Sequence, residues 1–167
     1  MTSVVKVDVV WDGIRAYRVP KPGEIEAVRL MSLGHSSREA SQMMGLRSID
    51  TAHRRVNEAQ AKLHGCSHGD TVYRMYRLGL LDNPYDPQMT PVLNQEQRYL
   101  LDVVDRMSLP YRHAHVMLGI GRSTLIRRMN EIHELLGADT RMQAISCAVK
   151  FGDMKVDAPA QLWRGRV

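Results

Sequence analysis

The chain has 167 residues, enough for one medium domain or two small ones, and 44% of them are hydrophobic, which excludes a disordered chain. One Phe and two Trp stand against eleven Met, so the core has to be built from Leu, Met, Val, Ile and Ala, which favours helices over strands. The net charge of +5 and a pI near 9.5 suit a polyanionic partner, and no stretch approaches the roughly 20 apolar residues of a membrane span.

Residues 3–19 read as a β-hairpin. Val4, Val5, Val7, Val9 and Val10 are β-branched, Asp12-Gly13 is a strong turn signal, and Ile14 to Val19 return. Pro20 and Pro22 close the hairpin, and from Glu24 the pattern turns helical. Ala27, Val28, Leu30 and Met31 share one side of a helix that stops near Gly34. Ser36 with Glu39 forms a capping box and opens a short helix to Gly45. A third helix runs from about Ser48 to Leu63, and Gly69-Asp70 caps a fourth that reaches Gly79. Pro84, Pro87 and Pro91 mark residues 82–93 as a stiff, semi-extended linker. The helical pattern then recurs. Asn94 with Gln97 opens a helix to Met107, a short one runs from Arg112 to Leu118, and a longer one from Ser123 to Leu136. Thr140 with Gln143 forms another capping box before a helix to Phe151, and residues 152–167 read as a mobile tail.

An internal repeat organises these elements. Ala40, Met43, Met44, Gly45 and Leu46 match Ala114, Met117, Leu118, Gly119 and Ile120 at an offset of 74. The stripe Ala52, Val56, Ala59, Leu63 matches Leu125, Met129, Ile132, Leu136 at an offset of 73, as does Thr51 with Thr124. Both stripes have the spacing 4, 3, 4 of one buried helix face. A short helix, a Gly turn and a longer helix together predict a helix-turn-helix, whose second helix can enter a major groove. The expectation is a mainly α fold of two tandem four-helix helix-turn-helix units at 23–81 and 94–151, with an N-terminal hairpin at 1–22, a linker at 82–93 and a tail at 152–167.

The second unit resembles the LuxR/NarL-type (GerE-like) DNA-binding domain through Gly119-Ile120, Thr124-Leu125, Glu131-Ile132 and Leu136-Gly137, followed by Thr140-Arg141 and Ala144-Ile145. The first unit is similar through Glu24 to Leu33, Gly34, Ser36 to Glu39, Gly45-Leu46, Thr51-Ala52 and Lys62-Leu63. It departs from the family by one extra turn residue and by His64 in place of Gly, while Arg55 and Arg128 stand where the family has His. Ser108-Leu109-Pro110 replaces a segment usually rich in Gly and Ser. Other helix-turn-helix classes, including the promoter-binding region of sigma factors, share much of this pattern. The resemblance implies a transcription regulator that reads double-stranded DNA with the third helix of each unit; a small regulator of this kind would suit a phage, plasmid or compact bacterial locus.

The buried stripes fix the outward faces. His53, Arg54 and Asn57 point away from the first stripe, and Ile126, Arg127 and Asn130 from the second. Arg and Asn are the residues expected at guanine and adenine edges. Ser48, Thr51, Ser123 and Thr124 sit near helix starts, where they cap or contact phosphate. Arg47, Arg55, Arg122 and Arg128 are candidate phosphate contacts, and Trp163, Arg164 and Arg166 a candidate DNA arm. The twelve-residue linker is long enough to span the roughly 34–36 Å between successive major grooves, so one chain is expected to cover an asymmetric two-part site.

His64, Cys66 and His68 lack a fourth ligand for zinc, His113 and His115 do not share a helix face, and no phosphate loop or nucleophile motif occurs. The reading is therefore not an enzyme, with no metal and no cofactor. Cys66 and Cys147 form no disulfide framework, and no apolar run follows a basic start. These features predict a reduced, cytoplasmic protein associated with the nucleoid. Two alternatives stay open: an adaptor that binds RNA polymerase or another regulator, and the DNA-binding part of a recombinase. A homodimer is also compatible.

Overall fold

The computed structural model describes residues 8–157, 159 and 161–166. Among these it is mainly helical, with eight α-helices and a three-stranded antiparallel sheet. Strands β1 (Asp8–Trp11) and β2 (Ala16–Arg18) make the expected hairpin. Asp12 shapes its loop, because Oδ1 accepts from the N–H groups of Ile14 (3.0 Å) and Arg15 (2.9 Å), while Gly13 adopts a φ of +88° that a side chain would resist. The expected strand residues Val4, Val5 and Val7 lie outside the described residues.

The tail corrects the sequence reading. Residues expected to be mobile form β3 (Trp163–Arg166), antiparallel to β1, so the strand order is β2-β1-β3. Two arginines tie this sheet to the helices. Arg164 Nη2 donates to the carbonyls of Leu78 (2.8 Å) and Gly79 (2.6 Å), and Arg77 Nη2 lies 3.5 Å from Asp12 Oδ2. Val10 and Tyr17 are buried beneath the sheet.

The helices come in two runs of four: α1 (Pro22–Ser32), α2 (Ser37–Met43), α3 (Thr51–Leu63) and α4 (His68–Arg77), then α5 (Gln95–Leu101), α6 (Tyr111–Met117), α7 (Arg122–Leu136) and α8 (Arg141–Phe151). In the first run α1 and α2 pack on α3, and in the second α5 and α6 pack on α7. Both expected stripes are buried, Ala52, Val56, Ala59 and Leu63 on α3 and Leu125, Met129, Ile132 and Leu136 on α7. Gly45 and Gly119 end α2 and α6 with φ of 65° and 64°, a left-handed conformation that costs glycine nothing.

Local chemistry explains the helix ends. The Ser36–Glu39 and Asn94–Gln97 capping boxes form as expected. Only half of the third forms: Thr140 Oγ1 accepts from the Gln143 N–H, but the Gln143 side chain turns to the Asp139 N–H. The fourth helix is capped by Ser67, whose Oγ accepts from the Asp70 N–H at 2.9 Å, so Gly69-Asp70 lies inside the first turn rather than before it. The helix expected from Asn94 to Met107 is α5 continued by a π-helical turn at Asp102–Arg106.

The two runs share one continuous hydrophobic core. Helix α4 packs on α8 and on the π-helical turn, and α8 also packs on α1. Gly69 permits a close backbone approach, since a Cβ there would stand 2.7 Å from the Asp105 carbonyl oxygen. Ser67 Oγ donates to the carbonyls of Asp105 (3.1 Å) and Arg106 (2.6 Å), and Tyr76 Oη meets Ser146 Oγ at 2.8 Å. Residues 82–93 lack helix and strand, as their prolines require, but they do not act as an extended spacer. They fold along the end of α8, where the Asp86 N–H donates to the Lys150 carbonyl and the N–H groups of Val92 and Leu93 donate to the buried Asp153 carboxylate.

Candidate nucleic-acid interface

Helix α3 turns His53, Arg54 and Asn57 outward, opposite its buried stripe. Helix α7 does the same with Arg122, Ser123, Ile126, Arg127 and Asn130, opposite Leu125 and Met129. Beyond the stripes, part of each outward face also repeats at an offset of 73, although His53 is matched by Ile126. Arg54 faces Glu58 at 4.0 Å and Arg127 pairs with Glu131, each one helical turn apart. Asn57 and Asn130 follow at the same offset. Exposed pairs of this kind are worth only tenths of a kcal/mol, so either arginine can leave its glutamate for a stronger anion.

The helix starts differ between the runs. Helix α3 begins at Thr51, whereas α7 begins at Arg122, two residues earlier in register than Thr124, the counterpart of Thr51. None of Ser48, Thr51, Ser123 and Thr124 is the N-cap; those positions are Asp50 and Gly121, and neither gives a side-chain cap bond. The first turn of α3 is satisfied from α2 instead. Ser41 Oγ accepts from the Ala52 N–H (3.1 Å) and donates to the Ile49 carbonyl (3.1 Å), while Ser37 Oγ donates to the same carbonyl. Ser48 Oγ takes only the nearby Asp50 N–H, at 3.4 Å. Relieved of capping, these hydroxyls are left to other partners.

Among the candidate phosphate contacts, Arg47 and Arg122 are exposed, and two others are drawn inward. The half-buried Arg55 guanidinium lies over Gly23 at the start of α1, and Arg128 pairs with Glu96 on α5. The candidate arm is not free either, because Arg164 is spent on the end of α4.

Sequence reasoning missed one member of the α3 face. His68, at the start of α4, donates through Nε2 to Asn57 Oδ1 at 2.7 Å, and its ring meets that of His53 edge-on at 5.2 Å. Burial and the neighbouring His53 hold His68 below the usual histidine range, which keeps the ring neutral. The Asn57 carboxamide is thereby held by one oxygen lone pair, with its amide hydrogens left over. The counterpart of His68 is Arg141, 73 residues on, and it turns to the buried Asp105 (3.4 Å) instead of to Asn130. The one signal in the sequence was the repeat itself, which pairs Ser67 with Thr140 and so places both N-caps.

Behind the faces lies a buried charge cluster. Asp105 is fully buried beside His133 Nε2 (2.6 Å) and Arg141, and Asp70 is fully buried beside Arg74 Nε (2.7 Å) and Arg106 Nη1 (3.3 Å). Burial pushes the Asp70 carboxyl up, but Arg74 and the Cys66 N–H outweigh it and hold it below the usual carboxylate range. His64, Cys66 and His68 do not converge; among the described residues no three His, Cys, Asp or Glu side chains could hold a metal ion. No helix among the described residues is long and apolar enough to cross a membrane. Comparison with known protein families, curated proteins and solved structures finds no match to this chain.

Proposed function

We propose that the protein is a sequence-specific regulator that binds double-stranded DNA, with two helix-turn-helix units of the LuxR/NarL type laying α3 and α7 in the major groove. One observation carries this reading: three polar residues of the outward faces of α3 and α7 repeat at one offset, although His53 is matched by Ile126. Arg54 and Arg127, Glu58 and Glu131, and Asn57 and Asn130 each lie 73 apart, opposite stripes that are buried at the same offset. A buried stripe repeats for packing alone. An exposed Arg and Asn have no packing reason to repeat, whereas guanine and adenine edges call for those two side chains.

In this reading each residue has a role. Arg54 and Arg127 exchange a weak glutamate contact for a base edge or phosphate. Asn57, held by His68, presents its amide hydrogens to an acceptor, while Asn130 keeps both its oxygen and its amide for an adenine edge. Arg47, Arg122, Ser48, Thr51, Ser123 and Thr124 supply phosphate contacts that fix register. Arg55 and Arg128 brace α1 and α5 and contribute through field rather than contact.

A second reading, an adaptor for RNA polymerase or another regulator, has its own support in the second run. Ile126 on α7 is 37% exposed, and Val116 and Met117 at the end of α6 are 68% and 74% exposed. Selection of bound duplexes from a random pool, repeated across salt concentrations, separates the two readings. Enrichment of a common site, with affinity that falls steeply as salt rises, is the expected outcome. No enrichment and no salt-dependent duplex binding would favour the adaptor.

A further inference from the structure

Both tryptophans of the chain lie on one exposed sheet face, on strands that meet only when the two ends of the chain come together. Trp11 on β1 stands directly across from Trp163 on β3. They are 39% and 50% exposed, against the burial that a folded chain normally gives its tryptophans. By strand alternation the same face carries Val9, Ala16, Arg18 and Gly165, since Val10 and Tyr17 face the core. The Trp163 ring lies over Gly165, where a Cβ would collide with its six-membered ring. The missing side chain lets the indole rest against the strand, backed on one side and open on the other.

The charge around this face is cationic. Arg18 projects from it, and the exposed Arg15 lies in the adjoining loop. A groove of about 540 Å³ runs from Val9 and Arg18 to Lys62 and His64 at the end of α3. Lys62 is neutralised by Glu24 at 2.7 Å, so Arg18 and Arg15 carry the excess. No acidic side chain stands on the outward positions of the described strands.

We propose that this face binds single-stranded nucleic acid, with unpaired bases stacked on Trp163 and Trp11 and the phosphates led past Arg18. Exposed indoles beside arginine suit that ligand because every unpaired base offers a π face and every nucleotide a negative charge. A duplex keeps its bases stacked on each other and cannot use the indoles. The site does not depend on α3 and α7 reading duplex DNA.

The two tryptophans are also the reporters. Titration of the full chain with a 12-nucleotide oligo-dT and with the matching oligo-rU should quench tryptophan emission, and a difference between the two distinguishes DNA from RNA as the source. Trp163→Leu should weaken binding about tenfold or more, as should Gly165→Val, which displaces the ring without removing it. Arg18→Glu should do the same through charge in a chain whose tryptophans are intact, which covers the case where Trp163→Leu fails to fold. The double variant Arg54→Ala, Arg127→Ala should bind the oligomers as the parent does. Three results would overturn the proposal: no binding of either oligomer, loss of binding in the α3/α7 double variant, or a dimer in sedimentation that Trp163→Leu converts to monomer, which would make this face a contact with a second copy.

Discussion

At the scale of single residues, two buried or half-buried groups carry more than their neighbours. Asp70 is fully buried between Arg74 and Arg106, and it also takes the Cys66 N–H at 3.0 Å. Asp70→Asn removes the counter-charge of Arg74 and one of the two carboxylates at Arg106, which keeps Asp102, so it should destabilise the fold by about 3 kcal/mol in urea unfolding; a loss under about 1 kcal/mol would mean that water already serves these arginines. His68 gives a pH effect whose sign is fixed. Its pKa is depressed in the folded chain by burial and by His53, so the unfolded chain takes up this proton first as pH falls. Its contribution is intact above the unfolded pKa of about 6.5 and is lost as pH drops below it. The parent should therefore lose stability between pH 7.5 and 5.5, and His68→Gln should flatten that slope. An unchanged slope in the variant would assign the effect to another group. Asp12 and Asp70, both held below the usual carboxylate range, act at lower pH and do not enter this window.

At the scale of elements, the turn between α2 and α3 and the contact between α4 and the π-helical turn are the most exposed to test. Ser41 alone joins the Ile49 carbonyl to the Ala52 N–H, so Ser41→Ala should cost about 1 kcal/mol and loosen the start of α3. Hydrogen exchange at Ala52 faster than in the parent is the matching local readout, and unchanged exchange would contradict it. Gly69→Ala reverses an ordinary expectation. Replacing a helical glycine by alanine normally stabilises by about 1 kcal/mol. Here the new methyl would meet the Asp105 carbonyl at 2.7 Å and Ile145 Cγ1 at 3.0 Å, so the variant should be less stable by about 2 kcal/mol. A stabilised variant would show that α4 and the π-helical turn part easily.

These elements also show what the sequence makes legible. The stripes of α3 and α7 were readable because burial on one helix is a local pattern of period 3.6. The Ser36 and Asn94 caps were readable for the same reason, since both partners lie within four residues. The Ser67 cap on Asp70 is equally local, three residues apart, and competes in the sequence with Gly69-Asp70; only the hydroxyl's second bond, to the Arg106 carbonyl 39 residues away, lies beyond local reading. Strand β3 pairs with β1 across the whole chain, and Gly165 weakens its local strand signal. On the candidate interface, Arg54 and Asn57 could be placed from the stripe. The Arg54–Glu58 pair is local too, one helical turn apart, whereas the His68 bond to Asn57 and the withdrawal of Arg55 and Arg128 toward α1 and α5 depend on tertiary contacts that spacing does not encode.

At the scale of the whole molecule, the relative placement of α3 and α7 is set by packing and not by a spacer. The two runs share one core through α4, α8 and the π-helical turn, and residues 82–93 are pinned along α8 by Asp153 and Lys150. If both outward faces read DNA, the distance between their half-sites is fixed, and inserting base pairs between them should abolish joint binding rather than be absorbed by the linker. The two faces are also unequal. The first is polar and braced by His68, and the second carries the half-exposed Ile126 and an earlier helix start. The selected site should then be asymmetric. The most direct test is hydroxyl-radical footprinting of a selected duplex with the parent chain, Arg54→Ala and Arg127→Ala. Two readers predict that each variant loses protection over a different half of the site while the other half stays protected. Loss of the same half in both variants, or an unchanged footprint in either, would contradict two DNA-reading helices on one chain.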